Sequence, residues 1–415
     1  MFDDALLTEI RARFVHVESC PFTGPRVFFE NAGGALTLGK VVETSARFAA
    51  IPDNQGRANA ASEALNAVIA QARADVQCFF NAKGGSVFVG ESGTELMFRL
   101  VRDACIGAAK GGIVLGSTVE HPASRSACAR WAAETGRPHV LIAHDDATGR
   151  VTPEAYAAAV TPETRVATIL HTSPVTGMSM DLPAIAAAIR AVAPDAYIIA
   201  DGIQHASHGG IDVTAADLDG YVISPYKVFS RHGYGVAWAS DRLTALAHDA
   251  LVGGPEGNWE LGTRDTGAYA TMSDVVAYFE WLGAQVSGET DRRALIEAAG
   301  RAIHSQEKAL TDAMLHGIDN LPGLTDLPGV QIVGGADNPA REGLVGFWID
   351  GQPSAALVEA LNARGIRTHL RKADHYSGNI LTPLGQADCV RVSMCHYNSL
   401  DEVRAFLTAM QEIAA

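Results

Sequence analysis

Long apolar runs are missing from this 415-residue sequence. None approaches the ~20 residues needed to cross a bilayer, so no transmembrane helix is expected. Basic charge is also in short supply: 32 Lys and Arg stand against 47 Asp and Glu, a net of −15. That balance disfavours nucleic acid or an anionic membrane surface as the main partner, while leaving local basic pockets free to bind small anions. Cysteine is sparse and scattered, at Cys20, Cys78, Cys105, Cys128, Cys389 and Cys395, with no Cys-x-x-Cys pair. In a chain of this size these read as reduced core residues rather than disulfides or metal ligands. The opening Met1-Phe2-Asp3-Asp4-Ala5-Leu6 has no basic stretch followed by an apolar one, so no signal peptide is expected and a cytoplasmic location follows. No internal repeat, low-complexity tract or long linker breaks the chain.

What is present is an alternation. Hydrophobic residues make up 47% and charged residues 19%, ordinary for a soluble globular enzyme of two or three domains. A helical spacing of apolar residues covers 58–80. Seven short apolar runs follow at 86–89, 113–115, 140–143, 166–170, 197–200, 221–223 and 235–238. Helical patterns at 94–109, 123–135 and 183–192 separate several of them. Strands alternating with helices predict an α/β fold with a mainly parallel seven-stranded sheet covered on both faces. Beyond Thr266 the pattern changes to helices at 267–281, 292–316, 353–364 and 400–413, with strands at 330–333, 344–349, 366–369 and 390–394. This predicts a smaller α+β domain. The expected division is an N-terminal segment 1–24 packing on the small domain, a large domain 25–285 and a small domain 286–415.

Parallel strands open onto the ligand crevice at their C-terminal ends. Two polar residues stand at such ends, Asp201 after Tyr197 to Ala200, and Lys227 just after Tyr221 to Ile223. An acid and a lysine so placed could hold a pyridine aldehyde. The acid would hydrogen-bond a protonated ring nitrogen, and the amine would form a covalent bond with the carbonyl. Other positions suit that arrangement. Glu91-Ser92-Gly93-Thr94-Glu95 lies between a strand and a helix, where N–H groups and hydroxyls make an anion site; it also reads as an ordinary helix cap. His121, in Glu120-His121-Pro122-Ala123, follows a strand and could stack on a flat ring, shuttle protons or merely cap a helix. Ser224 and Tyr226 flank the lysine with hydroxyls. Arg391 sits inside the apolar Cys389-Val390-Arg391-Val392-Ser393, and a buried arginine needs an anion, either a substrate carboxylate or an acid of the same chain.

In this order and spacing the chain resembles the class V aminotransferase family of pyridoxal-phosphate enzymes. That family includes cysteine desulfurases, kynureninases and isopenicillin-epimerase-like proteins. The resemblance runs from Phe28-Phe29-Glu30-Asn31-Ala32-Gly33 to His396-Tyr397-Asn398-Ser399. It implies fold type I, with pyridoxal 5'-phosphate as cofactor in the large domain and a small amino acid as substrate. It also implies roles. Lys227 would hold the cofactor covalently, Asp201 would pair with the ring nitrogen and His121 would stack on the ring. Gln204 would bond the ring oxygen. Ser92, Gly93, Thr94, Ser224 and Tyr226 would hold the phosphate, and Thr263 would reach the phosphate of a partner subunit in a homodimer. Arg391 would bind the substrate carboxylate, with Asn31 and His375 nearby.

The chain also departs from that pattern. Cysteine desulfurases carry a nucleophilic cysteine on the loop that corresponds here to residues 370–379, and this loop has none. Cys395, four residues past Arg391, is expected on the same strand face. Tyr226 stands where desulfurases usually have histidine; the Tyr-Lys pair is closer to that of kynureninases, where the tyrosine also serves the phosphate. Pro174 replaces an asparagine near the ring oxygen, with Thr172 or Ser173 as substitutes. The reaction expected first is amino-group transfer. β-Elimination at a C–S bond and epimerisation are the alternatives.

Overall fold

The computed structural model describes residues 1–414. Its centre is one seven-stranded sheet built from β1 (Ser86–Gly90), β2 (Ile113–Ser117), β3 (His139–Ile142), β4 (Thr164–Leu170), β5 (Tyr197–Asp201), β6 (Gly220–Ile223) and β7 (Gly235–Ala239). All seven apolar runs of the sequence are therefore strands of this sheet. The order is β1-β7-β6-β5-β4-β2-β3. Neighbours from β6 to β3 pair in parallel, whereas β7 runs antiparallel to both β6 and β1. The reversed strand has a local cause. The link from Ile223 to Gly235 is too short for the crossover that a parallel return requires, so the chain doubles back. Lys227 lies in that link.

Burial on both faces explains the continuous apolar runs. Val166, Ile199 and Val222 pack under α4 (Gly93–Gly107) and α5 (Pro122–Glu134). Their alternates Ile198, Ala200 and Ile223 face the opposite core, which also receives α3 (Ala60–Phe80) and α7 (Leu182–Val192). Helices α2 (Gly39–Ala49) and α6 (Pro153–Ala159) were not expected from apolar spacing. Helix α6 is a seven-residue element that buries only Tyr156. A long helix α8 (Thr266–Val286) then leads into α9 (Arg292–His316).

The C-terminal region carries an antiparallel sheet of β8 (Val330–Ile332), β9 (Leu344–Ile349), β11 (His369–Lys372) and β12 (Asp388–Ser393), in the order β8-β9-β12-β11. The run 366–369 is not one strand. It breaks at Thr368, and β10 (Ile366–Arg367) leaves to pair in parallel with Val27 and Phe28. Val390 and Val392 face a core shared with α10 (Ser354–Ala363) and α11 (Leu400–Ala414). Since side chains alternate along a strand, Cys389 and Arg391 take the other face. N-terminal helix α1 (Asp4–Ala12) joins this region through Arg11, which donates to the Tyr397 carbonyl (2.8 Å) and pairs with Glu402.

Candidate active site

The lysine turn fixes the site. After β6 the chain makes a short 3₁₀ turn, Pro225–Lys227, and Phe229 then adopts φ +66°. A left-handed bulky residue costs ~1–2 kcal/mol. Burial of its ring against Phe14, Tyr278 and Phe279 holds it there. The turn leaves Lys227 partly buried, with Nζ donating to Gln204 Oε1 at 3.3 Å. Burial, then the cations of Arg391 and Arg371, lower the Lys227 amine to about 7 against the opposing pull of Asp201.

Asp201 ends β5 beside Val222 of β6 and is fully buried. One carboxylate oxygen accepts from the Ser124 hydroxyl (3.0 Å) and the other from the Ile203 N–H (3.1 Å). Burial raises its pKa, and those two hydrogen bonds and Lys227 only partly offset it. A buried acid so held is completed by a cation, such as a protonated ring nitrogen. His121 caps α5, its Nδ1 accepting from the Ala123 N–H at 3.1 Å. Burial, with the cations of Lys227, Arg371 and Arg125, holds the ring down at about 3. It is therefore neutral at ordinary pH, which suits stacking on a flat ring. Gln204 spans two groups, with Nε2 lying 3.2 Å from His208 Nε2. His208 Nδ1 in turn lies 2.8 Å from a Glu307 oxygen.

The anion cradle is defined by missing side chains. A Cβ on Gly93, at the start of α4, would lie 2.5 Å from Ser224 Oγ and 2.6 Å from Ile203. A Cβ on Gly235 would lie 2.5 Å from the Ser92 carbonyl carbon. Glycine at both points lets the helix start, the end of β6 and the start of β7 converge, with free N–H groups directed outward. Ser92 caps the helix, accepting from the Glu95 N–H at 3.1 Å. Thr94 is exposed in the first turn. Ser224 is buried and its hydroxyl has no hydrogen bond among the described residues. Tyr226 stacks on His232 with ring centroids 4.3 Å apart, against the Asn31–Gly34 loop. These residues fit pyridoxal phosphate: a lysine for the aldehyde, an acid for the nitrogen, a flat neutral ring and a helix start for the phosphate. Thr263 is exposed in the loop before α8, where its neighbour Arg264 pairs with Glu91.

Arg391 marks the other end of the site. It is buried, its Nη1 donates to the Pro174 carbonyl at 3.1 Å, and its Nε has no partner. The nearest acid, Glu30, already serves His369 (3.1 Å) and Arg367 (3.3 Å). Burial and Arg371 lower the Arg391 guanidinium to about 9. An incoming carboxylate would reverse that penalty. The Asn31 side chain is engaged elsewhere. Its amide donates to the Ser393 carbonyl (2.9 Å) and to Asn398 (3.2 Å), and its oxygen accepts from Tyr397. His375 is exposed, and its carbonyl accepts from Arg125 at 3.1 Å. Its neighbour Tyr376 reaches to 5.8 Å from the His121 ring.

Two expectations change. Cys395 does not continue the Arg391 strand, because β12 ends at Ser393. Its sulfur sits instead in a buried group with His208 and Glu307. Burial pushes the Cys389 thiol up to about 12 and the Cys395 thiol well above its ordinary value. The hydroxyls of Thr172 and Ser173 are directed to His205 and to the backbone of Val175 and Thr176. Sequence reasoning missed Ser124, Arg125, His232 and Arg371. None of the four carried a distinct signal; Arg371 lies in the polar run His369-Leu370-Arg371-Lys372, where its charge reads as an ordinary surface group.

The fold and these groups define a pyridoxal-phosphate enzyme of fold type I. The chain matches the Aminotransferase class-V model over residues 27–406 and belongs to that family. It is similar to "Cysteine desulfurase-like protein ustD" of Aspergillus flavus, 26% identical over 94% of this chain and 88% of that protein. It is also similar to "Aminotransferase-like protein FGM3" of Gibberella zeae, 25% identical over 98% of each. Among solved structures, the cysteine desulfurase CsdA from Escherichia coli matches over all of both chains, with a TM-score of 0.79 and 22% identity. The cysteine desulfurase from Thermococcus onnurineus matches over 97% of this chain and 98% of that one, with a TM-score of 0.80 and 21% identity.

Proposed function

We propose that this enzyme transfers the amino group of a small α-amino acid, working as a homodimer. Bound pyridoxal phosphate supplies an electron sink for the carbon that loses a proton. Arg391 binds the substrate carboxylate through its unpartnered guanidinium edge. Lys227 takes the proton from Cα and returns it one position away, as general base and then acid. Asp201 keeps the ring nitrogen protonated, and His121 covers the ring face. Thr263, exposed on its own subunit, reaches the partner's phosphate. The observation that carries this reading is the placement of Lys227 in the turn after β6, its Nζ donating to Gln204 at 3.3 Å and its amine lowered to about 7 by burial and Arg391. A group titrating near ambient pH can both accept and donate a proton.

Cleavage of a β-substituent is the second reading, favoured by the Tyr376 hydroxyl on the loop facing His121. It would proceed without a protein persulfide, because both nearby thiols are buried and held protonated. The test is a screen of amino acids against a panel of ketoacids, with sulfide and pyruvate assayed in parallel. Amino-group transfer to a ketoacid is expected. Pyruvate or sulfide release without transfer would replace the first reading with the second.

A further inference from the structure

We propose that the amino-acid substrate carries a second anionic group and that Arg371 binds it. The inference rests on the reading of Arg391 as the receptor for the α-carboxylate. Strand register places the two arginines. In the antiparallel pair β11/β12, His369 stands opposite Arg391 and Arg371 opposite Cys389. Paired residues share a face, so His369, Arg371, Cys389 and Arg391 all project from the side opposite Val390 and Val392. Arg371 is then the diagonal neighbour of Arg391, at about 7–8 Å between stems. Two forks at that spacing can grip two anions joined by a short carbon chain.

Arg371 has no partner of its own. Its guanidinium makes no hydrogen bond or ion pair among the described residues, and its Nε is buried. Asp374, the acid on the adjoining loop, is exposed and accepts from the Tyr376 N–H at 2.9 Å. Glu30 is committed to His369 and Arg367. A chain with a net of −15 has acids to spare, yet none forms an ion pair with either arginine; Asp374 and Glu30 act on them only through space. The charge of Arg371 is felt at Lys227, His121 and Arg391, which puts it at the reacting end of the site. Unpaired, partly buried guanidinium groups are disfavoured until an anion arrives. The matching class is an α-amino dicarboxylic acid, or an analogue with a sulfinate or phosphonate in place of the second carboxylate.

The test is calorimetric titration of the cofactor-loaded enzyme with succinate and with butyrate, neither of which carries an amine. Succinate is expected to bind about 10- to 100-fold more tightly than butyrate, the worth of one charge-assisted pair. Arg371→Ala should remove that advantage while leaving butyrate affinity and cofactor content unchanged. Arg371→Lys should recover part of it, since lysine keeps the charge but not the fork. Arg391→Ala should weaken both ligands. Equal binding of the two acids by the native enzyme would overturn the proposal, as would loss of the cofactor from Arg371→Ala. If transfer is found with monocarboxylic amino acids only, and Arg371→Ala does not affect it, the proposed function stands and this inference fails. If no amino acid reacts but succinate binds through Arg371, the reverse holds.

Discussion

The lowered affinity of Lys227 for protons can be measured before any substrate is known. Stripped of cofactor, the protein should recapture pyridoxal phosphate through the neutral amine only. An ordinary lysine at 10.5 is neutral in ~0.03% of molecules at pH 7, whereas one brought to about 7 is neutral in about half. The difference is roughly 10³-fold in reactive amine at that pH. The assay is the rate of cofactor capture by absorbance from pH 5.5 to 10, normalised to the rate with a free lysine side chain. The raw rate should rise through a midpoint near 7 and then level off, so the normalised rate should stay level below 7 and fall above it. Arg391→Gln removes the largest contribution after burial, so its midpoint should move upward. Stability gives a second check. Between about 7 and 10.5 the unfolded chain holds a proton on this amine that the folded apoprotein does not. The contribution of Lys227 to stability therefore rises with pH across that window and is lowest below 7. A capture midpoint above 9, or no shift in Arg391→Gln, would refute the idea that burial and two arginines tune the lysine.

Asp201→Asn keeps the shape and an acceptor for Ser124 or Ile203 but removes the charge. Turnover should fall by roughly 10²–10³-fold, the cost of a buried cation without its partner, and near-native turnover would show that the ring nitrogen needs no acid. Gly93→Ala places a methyl 2.5 Å from Ser224 Oγ. Cofactor affinity, read by fluorescence quenching, should weaken about 10- to 100-fold, and an unchanged affinity would move the phosphate elsewhere. Cys389→Ser and Cys395→Ser should retain turnover, and mass spectrometry should find no persulfide on the native chain; abolished activity in either would restore a thiol mechanism.

The large sheet was legible because its strands are buried on both faces. Tyr197 to Ala200 and Tyr221 to Ile223 are apolar without interruption, and a chain can bury such runs only between layers of helix. The groups at the strand ends were legible for the same reason, since Asp201 directly ends one apolar run and Lys227 lies in the polar cluster that ends the other. What could not be read was partnership. Nothing in the order of residues says that Ser124 on α5 would reach Asp201, or that Asn31 would be tied to Asn398, 367 residues away. The break at Thr368 was hidden because both halves of 366–369 are extended. Only the two partners, Val27–Phe28 and Asp388–Arg391, separate them. The place of Cys395 was misread by extending a strand's alternation two residues past its end.

The reversed strand β7 connects these points. A parallel return after β6 would need a long crossover and would carry the residues after Ile223 away from the sheet edge. The antiparallel return keeps Ser224, Tyr226 and Lys227 in a tight link between adjacent strands and brings Gly235 against the start of α4. One hairpin thus carries the amine, the buried Ser224 hydroxyl and one wall of the glycine-lined gap at the start of α4, which under the proposed function would take the phosphate. Specificity then falls to the other sheet. Its polar face carries Arg371 and Arg391, whose charges are felt at the lysine and neither of which is in an ion pair with an acid. A site so arranged favours substrates that bring negative charge. In the free enzyme the same cations hold Lys227 near neutrality, and binding an anion to either arginine would raise its proton affinity, readying it to accept the proton from Cα.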